Sequence, residues 1–123
     1  MAKKNVVKIR KQGSGEVVLE RVKWCSSRWC KFLGLQFRRG LQPDEGLVLV
    51  HNKDSTASTS IHMFFVFFPI AAVWVDGEGR VTSAQLAKPW RPYYASPQPA
   101  RYVIEANPDL LERVKVGEIL EFV

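Results

Sequence analysis

Residues that break regular structure recur along this chain at strand-length intervals, and that spacing constrains the fold more than any other feature. Apolar runs too short for helices of ordinary length stand between glycines, prolines, asparagines and aspartates. Residues 6–10 and 16–24 read as two strands flanking Gly13-Ser14-Gly15, a short glycine-bearing turn. Residues 47–50 read as a strand, the polar 52–60 as a loop, and 71–75 and 80–86 as a hairpin about the turn Asp76-Gly77-Glu78-Gly79. Residues 101–106 and 119–123 complete the set. The run 61–68 is so uniformly apolar that it is expected to be covered on both faces, as a central strand is, with Pro69 ending it. Phe64, Phe65, Phe67, Phe68, Trp24 and Trp74 are accordingly expected in the core.

Two short helices interrupt this pattern. Ser26 or Ser27 offers an N-cap, Trp29, Phe32 and Leu33 share one helical face, and Gly34 suits the C-terminal cap. Asn107-Pro108-Asp109 opens the second helix, which is expected to run to about Val114. Between Lys88 and Pro99, four prolines forbid regular pairing and leave a loop carrying Trp90, Tyr93 and Tyr94. The expected fold is mostly β, a small barrel or sandwich with one or two short helices.

The 123 residues fit one domain, 1–123, with a basic N-terminal strand region at 1–16. At 46% hydrophobic and 24% charged, the chain has the composition of a folded soluble protein. No window reaches the roughly 20 apolar residues of a membrane span, and no signal-peptide block follows the basic N-terminus, so a cytoplasmic location is expected. Charge is unevenly distributed. Residues 1–39 hold eleven Lys and Arg against two Glu, whereas residues 40–123 hold seven against ten acids, giving +9 and −3. Such a basic third can attract polyanions or an acidic partner, but it carries no specific nucleic-acid motif. Lysines protecting strand edges account for the same pattern. Cys25 and Cys30 are too few for a metal site, and His51 and His62 lack finger-like spacing, so no metal or cofactor is expected. Two free, partly buried thiols are expected instead.

Taken in order, several blocks carry a resemblance: Gly34-Leu35-Gln36-Phe37-Arg38, Gly46-Leu47, the apolar block from Ser60 to Ile70, and Val73-Trp74-Val75-Asp76 with Gly79-Arg80-Val81. Lys88-Pro89-Trp90-Arg91, Ala100-Arg101-Tyr102-Val103-Ile104-Glu105 and Val116-Gly117-Glu118 follow. With these blocks the chain resembles the prokaryotic family known as domain of unknown function 192, over about residues 17–123. The resemblance implies a compact β-barrel or jelly-roll-like sandwich and no particular activity. Family members usually carry Asp after the Pro-Ile that ends the apolar block, and this chain has Ala71 there. Relatives often carry a secretion signal; none is read here, so an extracellular location is not inherited.

Catalytic chemistry needs convergent groups, and the supply is thin. Ser60 and His62 are close in sequence without implying a nucleophile and base, and Gly13-Ser14-Gly15 lacks the remainder of a phosphate loop. The expected function is therefore a small binding or interaction module, more readily than an enzyme. Its candidate ligand site is where His62 meets the loop carrying Trp90 and Arg91. Trp90 offers a flat apolar wall, Arg91 a permanently charged fork, and His62 a titratable group, a set suited to an anionic small molecule. The competing account is structural, with His62 capping a backbone group and Arg91 paired to Glu105 or Glu118. Two rival functions remain: nonspecific polyanion binding through the basic third, and an unrecognised enzyme.

Overall fold

In the computed structural model, which describes residues 5–123, strands dominate and curl into a half-barrel (45% strand, 8% helix). Lys3 and Lys4 of the basic region lie outside the described residues. The strands are β1 (Val6–Lys11), β2 (Val17–Cys25), β3 (Glu45–Ser55), β4 (Ile70–Val75), β5 (Val81–Ala87), β6 (Ala100–Ala106) and β7 (Leu120–Phe122), with helices α1 (Arg28–Leu33) and α2 (Leu110–Arg113). They form one seven-stranded sheet in the order β5-β4-β6-β3-β2-β1-β7. All pairs are antiparallel except β2 with β3. A parallel pair needs a crossover connection, which residues 26–44 supply with α1 inside them.

Curling brings the sheet's two ends together. Leu120 N–H donates to Gly79 C=O at 2.7 Å, and Val81 N–H to Glu118 C=O at 2.9 Å. Gly79 is indispensable there: its φ is +89°, and a Cβ would stand 2.6 Å from the Leu120 carbonyl oxygen. The concave side buries Ile9, Val22, Val48, Val73, Ile104 and their neighbours, plugged by Leu110 of α2 and by Val114. The alternate residues of the same strands, including Leu47, Leu49, Ala72, Trp74 and Val103, build a second core on the outer face. Loops roof it through Leu35, Ile61, Met63 and Val66. With both faces covered, β4 is buried at every position.

Four expectations fail, the first being the loop expected at 52–60, whose residues up to Ser55 continue β3. Residues 61–68 form no strand. Ile61 exchanges backbone hydrogen bonds with Tyr94 (2.8 and 2.9 Å), Met63 donates to Arg91 C=O (2.7 Å) and Trp90 donates to Met63 C=O (2.8 Å). The run therefore pairs with the proline loop, while the fully buried strand begins after Pro69. Phe64, Phe65 and Phe67 are exposed instead of core, and the α1 face of Trp29, Phe32 and Leu33 is exposed as well. Helix α1 is capped as expected, by the Ser27 side chain and by Gly34, yet it buries none of its residues. The cysteines are not free: Cys25 and Cys30 form a disulfide, with Cα atoms 5.6 Å apart. Cys25 ends β2 and Cys30 lies in α1, so the chain reverses at Ser26-Ser27 and brings together side chains that a single helix would have turned apart.

Candidate functional site

The loops that roof the outer core turn aromatic side chains to solvent. Among the described residues four non-glycine positions have positive φ, and three of them are Phe37 (65°), Phe65 (62°) and Trp90 (66°). The left-handed region is uncommon for bulky side chains, each instance costing about 1–3 kcal/mol and persisting only where its surroundings impose it. What imposes it here is a mutual arrangement. Phe37 N–H donates to Phe65 C=O (2.9 Å); the Phe37 ring stacks on Phe65 with centroids 5.1 Å apart; Phe65 lies 5.0 Å from Trp90. Phe67 meets the same indole edge-on at 5.7 Å. These rings remain open to water, Phe37 at 63%, Phe65 at 43% and Trp90 at 47% exposure. On α1, Trp29 stacks against Phe32 and is 70% exposed.

The segments that carry these rings are electrostatically one-sided. The segments 26–43, 55–75 and 88–99 contain no Asp or Glu, and they carry Arg28, Lys31, Arg38, Arg39, Lys88 and Arg91. Arg38 pairs with Glu45 at 2.9 Å, and Lys31 Nζ donates to the Val50 carbonyl. Arg28, Arg39, Lys88 and Arg91 are exposed and form no ion pair among the described residues. The basic residues of β1 are arranged differently: Lys8 pairs with Glu20, Arg10 with Glu121, and Lys11 with Glu16 and Glu118. Arg28, Arg39, Lys88 and Arg91 thus leave unpaired positive charge close in sequence to the exposed aromatic residues, as Arg21, Lys23, Lys53, Arg80 and Lys115 do elsewhere among the described residues, whereas the described basic residues of β1 are paired.

Backbone pairing between residues 61–63 and 90–94 sets His62 beside the loop of Trp90 and Arg91. His62 is exposed, its ring 5.2 Å from Phe64, and its Nδ1 accepts the Phe64 N–H at 3.2 Å. The backbone-capping role is therefore present, whereas a buried, unpartnered imidazole is not. Neither acid suggested for Arg91 holds it: Glu118 pairs with Lys11, and Glu105 is buried elsewhere. The open depression of about 550 Å³ at the β1–β2 turn, lined by Lys11, Gln12, Gly13, Ser14, Glu16, Glu118 and Ile119, includes none of His62, Trp90 or Arg91. Ser60 Oγ donates to Ala57 C=O, so no Ser60–His62 couple is formed. His51 lies apart, its Nδ1 on the Arg101 carbonyl, with burial holding its pKa below the ordinary value. No three metal-ligating side chains cluster among the described residues.

Beneath the roof lies a carboxyl that sequence reasoning cast only as a surface partner for Arg91. Glu105 pairs in register with Leu47 and with Ala72, so its side chain enters the outer core. It is 6% exposed, and burial alone pushes its pKa up to about 7. Oε1 sits 4.0 Å from the point where a Gly34 Cβ would be, so the bare glycine of the α1 cap forms part of its cover. The signal was present in the sequence as a lone acid between Val103-Ile104 and Ala106. Ala71, by contrast, belongs to the concave core opposite Ala106, so a carboxylate at that position would face the barrel interior.

Comparison with known proteins agrees with the strand pattern. The family model DUF192, described as uncharacterised ACR, matches residues 7–122. A UPF0127 protein of Thermococcus kodakarensis is 33% identical over 80% of this chain, which spans 60% of that relative's length. One of Pyrococcus furiosus is 28% identical over 88% of this chain and 91% of its own. A crystal structure of a protein of unknown function from Novosphingobium aromaticivorans superposes with a TM-score of 0.83 at 22% identity, covering 94% of this chain and 84% of that one.

Proposed function

The chain belongs to the DUF192 family, and on that premise we propose that it is a binding module whose outer face takes an anionic ligand bearing apolar surface. The observation that carries this reading is the trio Phe37, Phe65 and Trp90, exposed and held together on left-handed backbone. Solvent-facing aromatics in strained loops do not serve the core, and strain of this kind concentrates at functional positions. Arg91 adds a charged fork beside the Trp90 wall, and His62 stands on the neighbouring segment. Polyanion binding through the basic N-terminal third stays the rival reading: the described basic residues of β1 are paired with acids, whereas Arg21, Lys23, Arg28 and Arg39 form no ion pair among the described residues.

An amide NMR titration with phenyl phosphate, with phenol and inorganic phosphate as controls, tests the proposal. Shifts centred on the Trp90 indole, Arg91 and His62 are expected, larger for phenyl phosphate than for either half alone. Shifts confined to the β1–β2 turn, or none, would refute it. As to compartment, no described helix is long and apolar enough to cross a membrane. The Cys25–Cys30 bridge argues against the reducing cytosol expected from the sequence, and thiol labelling of the protein in its native cells would decide the point.

A further inference from the structure

Resting on the anionic-ligand reading, we infer that the partner of the aromatic and basic face is the surface of an anionic phospholipid bilayer. The apolar side chains come from three separate stretches: Trp29 and Phe32 on α1, Phe37 just after it, and Phe65 and Trp90 on the two paired loops. Most are followed or preceded directly by a cation, as in Arg28-Trp29, Lys31-Phe32, Phe37-Arg38-Arg39 and Trp90-Arg91. Aromatic rings beside Lys and Arg suit the boundary between headgroups and acyl chains, where the rings enter the apolar side and the cations meet lipid phosphates.

Charge and ring geometry separate this partner from its competitors. A second copy of the chain is disfavoured, since a two-fold interface sets the same patch against itself and would oppose unpaired cations with no acid from either side. Single-stranded nucleic acid needs free ring faces on which bases can stack, but Phe65 is already flanked by Phe37 and Trp90 at 5.1 and 5.0 Å. A base could therefore stack only on the outer rings and not within this cluster. Insertion into a lipid boundary makes no such demand, because rings packed on one another can enter together with their outer edges leading.

The test is co-sedimentation of the full chain with vesicles of phosphatidylcholine, alone or mixed with phosphatidylglycerol, alongside tryptophan emission. Phe65→Asn with Trp90→Asn removes two rings while using a residue that tolerates positive φ. Arg39→Ala with Arg91→Ala removes two cations from the face, and Lys8→Ala with Arg10→Ala removes the same charge from β1 as a control. Binding to the anionic vesicles only, with a blue-shifted emission, is expected. The ring variant should lose it, the face-charge variant should weaken it roughly 25-fold at about fivefold per cation, and the β1 variant should stay within a few-fold of the parent. Circular dichroism verifies folding, and should the ring variant misfold, the two charge variants still decide the matter. Absence of binding to anionic vesicles, equal weakening by both charge variants, or tighter binding to a single-stranded oligonucleotide would overturn the inference. If phenyl phosphate still shifts Trp90 and Arg91 while vesicles do not bind, only the lipid assignment falls; if neither binds, the anionic-ligand reading falls with it.

Discussion

Replacing Glu105 with glutamine isolates the cost of burying one carboxyl in the outer core. Its folded pKa of about 7 stands above the ordinary 4.5 because the side chain is desolvated and nothing offsets that. The direction of the pH effect follows from proton uptake. Below the ordinary value the group is protonated in both folded and unfolded chains and costs little; between 4.5 and 7 the folded chain keeps a proton that the unfolded chain has lost, so stability falls as pH rises. Above pH 7 the full penalty applies. At 1.36 kcal/mol per pKa unit, the interval from 4.5 to about 7 corresponds to about 3 kcal/mol. Urea denaturation of both proteins from pH 4.5 to 8 measures it. The difference in unfolding free energy should move in favour of Glu105→Gln by up to about 3 kcal/mol across that range. Glu45 and Glu118, whose pKa values are lowered, lose stability as pH falls, but they are common to both proteins and cancel. A difference independent of pH would refute the reasoning, because it would mean that Glu105 ionises in the folded protein as it does in water.

Three further outcomes follow from particular contacts. Reducing the Cys25–Cys30 bridge, or replacing both cysteines with serine, should lower stability by about 2 kcal/mol, the loop-closure value for so short a loop; it should also quicken proteolysis within residues 26–39, and unchanged urea curves and cleavage would contradict the pairing. Gly79→Ala should cost roughly 2–6 kcal/mol through a positive φ and a clash with the Leu120 carbonyl, and hydrogen exchange should locate the loosening at β7; a stable variant with protected β7 amides would argue against closure of the barrel there. Trp74→Phe should cost at least about 1–3 kcal/mol, because the indole N–H that donates to Thr59 C=O at 2.8 Å is lost in a fully buried setting. A thermal melt matching the parent would show that bond to be dispensable.

The amino-acid sequence by itself determined the features that depend on neighbours along the chain. Both hairpin turns, the Ser27 and Gly34 caps of α1, and the places of all seven strands follow from turn chemistry and short apolar runs, which act within a few residues of themselves. The segment carrying His62 and the loop of Trp90 and Arg91 also proved to be neighbours. Tertiary structure decided what covers each apolar surface. The run 61–68 has apolar residues on both sides, and nothing local indicates that the strand positions beside β4 and β6 are already filled, so that this run must pair with the proline loop and turn Phe64, Phe65 and Phe67 outward. The same holds for α1, whose apolar stripe would ordinarily mark a buried face but here lies beyond a roof already completed by Leu35 and Met63. Cys25 and Cys30 meet because the chain reverses between them, and Glu105 is buried because the register of β6 with β3 and β4 turns it inward. Periodicity records which side chains are apolar; only the packing of distant segments determines which of them water can still reach.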